Sequence, residues 1–214
     1  MSLAGSEATA DPTRSGAVGV ELWFDPVCPW AWLTSRWLLE VARQRTLDIT
    51  WHIFSLAVLN EGREVPAEYI ELLRTSWWPG RIIVAAAAHD PAATLGLYTA
   101  IGTRLHPRGE ELTMPLLADA LTDVGLPGSL LDEAGNASHD DTLRRSTRAA
   151  LDLVGDDVGT PVIATEGVAF FGPVISPAPT GEAALELWDG VVACARVPGF
   201  FELKRSRGVG PIFA

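Results

Sequence analysis

The chain has 214 residues, 48% of them hydrophobic, and a formal net charge of −11. That is enough apolar material for one buried core, or for one domain carrying a large insertion. The acidic balance argues against nucleic acid and anionic membrane as partners, because phosphate contacts are built from clustered Lys and Arg, and Lys204 is the single lysine.

In chain order, residues 1–17 are small and polar with Pro and Gly, so they are expected to form a flexible tail. They lack the basic and apolar regions of a secretory signal, and no later stretch reaches the roughly 18 apolar residues of a membrane span. A cytoplasmic protein is expected. Val18, Val20, Leu22 and Phe24 alternate on one face of a first strand, with Trp23 hinting that the other face is also covered. From Pro29 onward, Trp30, Leu33, Trp37, Leu38 and Val41 recur at helical spacing, and proline suits the first helical position. Ile49, Trp51 and Ile53 then mark a second strand, which predicts a β-α-β start with a parallel pair.

Residues 57–157 carry helical patterns broken by prolines and almost no strand signal. Ile82 to Ala88 and Ala92 to Ile101 read as the most apolar helices of this stretch, and Asp140 to Val154 as the last. Strands return at Val162–Thr165 and Val168–Phe171 around a tight Glu166-Gly167 turn. A closing helix carries Ala184, Leu187, Trp188, Val191 and Ala195. This order is that of an α/β thioredoxin fold interrupted by an all-helical insertion. It divides the chain into the tail, a discontinuous thioredoxin-like domain over 18–56 and 158–207, and an insertion over 57–157.

The chemistry centres on "DPVCPWAW". A thiolate is the nucleophilic form of cysteine, and a helix N-terminus lowers the thiol pKa through unpaired N–H groups and the helix dipole. Cys28 is placed for that, against the bland alternative of a small buried hydrophobe. In a C-x-x-C site the second thiol would release the mixed disulfide; here that position is Ala31. Cys194, among apolar residues of the closing helix, reads as core rather than as an internal resolver. Pro161 after Thr160 is either a cis proline facing the thiol or a trans proline that opens a strand. Asp25 shapes the turn, and a buried carboxylate there would oppose activation of the thiol.

Asn60, Glu61, Tyr69 and His106 are candidates for the polar lining of a pocket between the two layers. Asn60 competes with a turn-capping role, Tyr69 with packing, and His106 with a helix end before Pro107. His52 reads as a satisfied strand histidine, and His89 and His139 as exposed residues at helix ends. No His/Cys/Asp cluster has metal-ligand spacing, so no metal is expected.

The stretches "WFDPVCPWAWLTSRWLLEVA", "SLAVLNEGRE", "LYTAIGTRLH", "VGDDVGTPVI", "GVAFFGPV" and "FFELKRSR" together resemble the DsbA-like mycothiol-dependent nitroreductases of actinobacteria. The resemblance runs from about Val18 to the C-terminus. It implies a nucleophile at Cys28, a thiol and substrate site around Pro29, Trp30 and the cis-proline pair Thr160-Pro161, and mycothiol as reductant. The family's CPWC motif is CPWA here, which implies monothiol exchange on mixed disulfides or small electrophiles such as nitro compounds. The partners expected are a small thiol and a disulfide or electrophile, with the protein a monomer or homodimer. Two other readings stand beside it: a transferase or isomerase like the kappa-class glutathione transferases, and a non-catalytic binder of small apolar ligands.

Overall fold

The computed structural model describes residues 16–213; the tail expected over 1–17 lies outside that range except for Gly16 and Ala17. Strand β1, Val18–Phe24, runs parallel to β2, Leu47–Ile53, with Leu22 beside Trp51, and helix α1, Pro29–Ala42, connects them. On the other side of β1 lies β3, Val162–Thr165, antiparallel to it, and β4, Val168–Phe171, pairs antiparallel with β3. The sheet order is therefore β2-β1-β3-β4. Glu166 and Gly167 join β3 to β4 at φ 55° and 77°, the left-handed pair whose twist matches a two-residue hairpin.

Between β2 and β3 come α2 (Leu56–Leu59), α3 (Ala67–Thr75), α4 (Trp77–His89), α5 (Ala93–Leu105) and α6 (Met114–Asp123). Two 3₁₀ stretches, Gly128–Gly135 and Ala137–His139, lead into α7, Asp140–Val154. The closing helix, α8, spans Gly181–Ala195. This is the thioredoxin fold with a helical insertion that the order of elements predicts. α4 starts ahead of the apolar run at Ile82, because Trp77, Trp78 and Pro79 form its first turn, where proline leaves no intrahelical hydrogen bond unmade.

Helix α1 is apolar on two sides, and this positions the site. Trp37, Leu38 and Val41 pack with Val20 and Leu22 of β1, Ile163 of β3 and Ala184 and Trp188 of α8. Trp37 is fully buried and its indole Nε1 donates to the Ala184 carbonyl at 2.9 Å. Ala31, Trp32 and Leu33, nearer the N-terminus, join Ile82, Leu97, Tyr98, Ile101 and Leu117 of the helical segment. The opposite face of the sheet is covered by α7, with Trp23 and Val162 clustered with Phe54, Ala150 and Leu151. Both faces of β1 are therefore buried near its end, as the mixed pattern around Trp23 implies.

α1 and α5 approach so closely that only glycine fits at one point. A Cβ added at Gly102 would lie 2.3 Å from the Trp32 ring. Trp32 also meets Tyr98 edge to face, with ring centres 5.8 Å apart.

Candidate active site

The site is built at the C-terminal end of β1. A turn follows the strand, closed by the Cys28 N–H donating to the Asp25 carbonyl at 3.0 Å. The Asp25 carboxyl accepts the Val27 N–H at 2.9 Å and the Leu56 N–H at 2.7 Å. Asp25 thus shapes the turn, as its place before proline implies, and also ties that turn to the start of α2.

Cys28 is the N-cap of α1, at φ −84° and ψ 113°, with Pro29 in the first turn behind it. N-cap side chains accept a backbone N–H that the helix cannot satisfy. Here the acceptor is sulfur: the Ala31 N–H points to Sγ at 3.5 Å. The Cys28 thiol in turn donates to the Thr160 carbonyl at 3.4 Å. The Thr160-Pro161 bond is cis, and the Thr160 hydroxyl donates to the Trp23 carbonyl at 2.8 Å, which fixes the pair against β1. Gly172-Pro173 and Ser176-Pro177 are cis as well, for which the sequence offers no separate signal.

The electrostatics run against the expected activation. Burial pushes the Cys28 thiol up to about 12, with a further upward push from the charge of Asp25 and only partial opposition from the N–H groups of Ala31 and Trp30. The helix start acts in the expected direction, but withdrawal from water outweighs it, since the sulfur belongs to a residue only 6% exposed. Asp25 itself is buried, which lifts its pKa to about 7 against the N–H bonds from Leu56 and Val27.

Of the proposed lining residues, one reaches this loop. His106, at the end of α5, is buried, and its Nε2–H donates to the Pro26 carbonyl at 3.0 Å. Its ring lies 5.6 Å from both Trp32 and Phe213, and desolvation lowers its pKa to about 4, so it is a neutral imidazole. The other three are engaged elsewhere. The Asn60 amide donates to the Leu56 carbonyl at 2.8 Å, closing α2. Glu61 forms a two-pronged pair with Arg144 of α7, at 2.7 and 3.0 Å. Tyr69 sits on the outer side of α3, 52% exposed. All three lie near the start of the insertion in sequence, where Asn60 and Glu61 are bonded within α2 and to α7.

The expected interlayer pocket is filled by rings. Phe24 stacks on Tyr98 with centres 3.8 Å apart, and Trp51 packs edge-on against Phe24. Cavities of 390 and 340 Å³ lie between α5 and α6 and beside α8, and Cys28 lines neither. The remaining histidines read much as expected: His52 pairs with Glu21 and stacks on Trp23, and His89 ends α4 exposed. His139 is less exposed than expected, because its ring bonds to Glu133 at 2.7 Å. Cys194 is a half-buried free thiol on α8. Among the described residues no group of three His, Cys, Asp or Glu side chains could hold a metal ion, and no helix is long and apolar enough to cross a membrane.

Residues that the sequence reading passed over complete the surroundings. Arg36, two turns along α1 from Cys28, lies over the Trp32 ring at 4.0 Å and donates to the hydroxyls of Ser35 and Thr99; the i, i+4, i+8 spacing of Cys28, Trp32 and Arg36 carried that signal. The loop after β4 is fastened to α1 by the Thr34 hydroxyl, which donates to the Pro173 carbonyl at 2.6 Å. The C-terminal segment returns across the same region, with the Arg207 guanidinium 5.2 Å from the centre of the Trp30 ring.

Comparison with known proteins agrees with this arrangement. The family model described as the mycothiol-dependent nitroreductase Rv2466c matches residues 27–205. The protein Rv2286c of Mycobacterium tuberculosis is 33% identical over 197 residues, covering 88% of this chain and 82% of that protein. Among solved structures, the probable DsbA oxidoreductase SCO1869 of Streptomyces coelicolor superposes with a TM-score of 0.58 at 16% identity, over 91% of this chain and 97% of that one. The cytosolic disulfide reductase DsbM of Pseudomonas aeruginosa gives 0.54 at 17% identity, over 82% and 99%. These two likenesses bear on the fold.

Proposed function

The chain belongs to the family of the mycothiol-dependent nitroreductase Rv2466c, and from that premise we propose that it is a monothiol oxidoreductase of the cytoplasm acting through Cys28. The observation that carries this reading is the Cys28 thiol at the head of α1, 3.4 Å from the carbonyl of Thr160, with Ala31 where an internal resolving thiol would stand.

In the proposed reaction the Cys28 thiolate attacks one sulfur of a mixed disulfide between a small thiol and a substrate thiol. The old S–S bond breaks, the substrate leaves as a thiol with the proton Cys28 gave up, and Cys28 holds the small thiol in a new disulfide. A second molecule of the small thiol then opens that bond, restoring Cys28 and leaving as the symmetric disulfide. The net exchange consumes one free small thiol per mixed disulfide, an external thiol doing what Ala31 cannot. With a nitro compound two free small thiols would be consumed, giving the nitroso product, their disulfide and one water.

Mycothiol suits this site as the small thiol that the family uses: its sulfur would meet Cys28 beside Pro29, Trp30 and the Thr160 carbonyl, which the Cys28 thiol releases when it forms a disulfide. The half-charged Asp25, at about 7, lowers its opposition to a Cys28 thiolate whenever it takes up a proton. The test is reduction of a mycothiol mixed disulfide by wild type and Cys28→Ser; equal rates would end the proposal.

A second reading has one observation in its favour. A thiol pushed up to about 12 and used as a helix cap fits a binder of small ligands that does no thiol chemistry. Alkylation of Cys28 against pH separates the two: reaction with the mixed disulfide near neutral pH requires a thiolate fraction that a purely structural cap would not supply.

A further inference from the structure

Among the described residues the C-terminal segment is irregular and exposed: Phe201 and Leu203 are each 87% exposed, and no helix or strand is described after Ala195. Its end is nevertheless held in place. Ser176 Oγ donates to the Gly210 carbonyl at 2.8 Å and accepts the Ile212 N–H at 2.9 Å. Phe213 packs against the core cluster that contains Cys28 and stands 5.6 Å from the His106 ring. Residues 207–213 thus run from Trp30, two residues past Cys28, to His106, which grips the loop just before Cys28.

The charge carried there is unlike the rest of the protein. In a chain of net charge −11, residues 202–207 hold Lys204, Arg205 and Arg207 against Glu202 alone. Arg207 lies over Trp30, and among the described residues no carboxylate forms an ion pair with it; Arg74, Arg81, Arg104, Arg144 and Arg196 all have one. A guanidinium stacked on an aromatic face uses its flat side for that contact and keeps its edge N–H groups for a second partner. Two such N–H groups in one plane match a carboxylate.

We propose that the segment Lys204–Phe213 forms an outer wall of the Cys28 site and that Arg207 there selects small aromatic substrates bearing a carboxylate. This rests on the reading that substrates approach Cys28, and extends it to their chemical class. The positive segment draws such anions toward Trp30. The planar ring of the ligand lies near Trp30 and its anionic oxygens meet the edge of Arg207.

The test uses 4-nitrobenzoate and its neutral amide as probes, with binding followed by tryptophan fluorescence and calorimetry on the full chain. Wild type is expected to bind the acid roughly three- to fivefold more tightly than the amide at low salt, as for one partly exposed ion pair. The preference shrinks as salt is raised. Arg207→Glu abolishes it, whereas Arg205→Glu keeps most of it. Equal affinities in wild type, no binding of either probe, or a preference that survives Arg207→Glu overturns the proposal. The assay needs no thiol chemistry, so failed disulfide exchange in a protein that shows the preference would count against the redox reading alone.

Discussion

The Cys28 thiol and the Thr160 carbonyl lie 3.4 Å apart although 132 residues separate them. The antiparallel pairing of β1 with β3 sets Trp23 opposite Val162, so the turn leaving one strand and the proline opening the other emerge side by side. Replacing the thiol therefore isolates chemistry from structure. Cys28→Ser keeps an N-cap acceptor, and serine is among the best N-caps, so circular dichroism and melting should stay close to wild type. Exchange with a mycothiol mixed disulfide should fall by roughly a thousandfold or more, because an unactivated hydroxyl is a far weaker nucleophile.

Ala31 is fully buried one turn into α1, with its N–H on the Cys28 sulfur. Ala31→Cys supplies the second thiol of a C-x-x-C site. After mild oxidation this variant should lose both of those thiols and 2 Da of mass in an internal disulfide, by the loss of two hydrogens. Release of the bound small thiol should then proceed without excess external thiol. Persistence of a Cys28 mixed disulfide in the oxidised variant would contradict the assignment of Ala31 as the missing resolver.

Asp25→Asn tests the buried carboxyl. Its charge is one of the causes holding Cys28 high, so the variant should show Cys28 alkylation shifted to lower pH. Stability carries a sign of its own. The folded pKa of Asp25, about 7, lies above the ordinary 3.8. Between those values the unfolded chain has released a proton that the folded one retains, so wild type loses stability as pH rises through that window. Relative to the variant, the loss should amount to roughly 3–4 kcal/mol between pH 4 and pH 7, read from denaturation at several pH values. The absolute stability of the variant is less favourable than this suggests, since an amide oxygen accepts readily from only one of the Val27 and Leu56 N–H groups.

The reverse sign belongs to His106. Its folded pKa of about 4 lies below the ordinary 6.5, so it contributes stability that is present above pH 6.5 and lost as pH falls toward 4. Its imidazole resonances in NMR should show no titration between pH 8 and 5.5. A midpoint near 6.5 would mean the ring is not held on the Pro26 carbonyl.

Gly102→Ala places a methyl group 2.3 Å from the Trp32 ring. Overpacking of this kind costs about 1–3 kcal/mol, which denaturant unfolding should detect. Because Trp32 also touches His106 and Arg36, the variant should alter Cys28 alkylation as well as stability, unlike a neutral surface change such as Gly135→Ala.

The secondary structure near the site was written plainly in the sequence. Alternation in Val18–Phe24, helical spacing after Pro29, and the Glu166-Gly167 turn each have a local physical cause, and all three occur where that cause puts them. Cys28 and Thr160-Pro161 meet because β1 and β3 pair antiparallel, a strand order inferable from the sequence of elements. The partners of the polar residues in the helical segment are less legible. Asn60, Glu61 and Tyr69 depend on how α2 and α3 turn relative to α7, and nothing local records that Arg144 would claim Glu61. The raised pKa of Cys28 was hidden for a related reason. A helix start can be read from Pro29, whereas desolvation depends on Tyr98 arriving from α5 to pack with Trp32 in the cluster around Cys28.

Cys28 completes the first turn of α1 by receiving the Ala31 N–H on its own sulfur. The free thiol also donates its S–H to the Thr160 carbonyl; a mixed disulfide has no S–H, so each passage through one gives up that bond and loosens the fastening at the head of the helix at the moment the chemistry occurs. Covalent state and local order are thereby recorded by a single atom. The Ala31 amide, silent in any assay of product, should exchange its hydrogen faster in the loaded protein than in the free one.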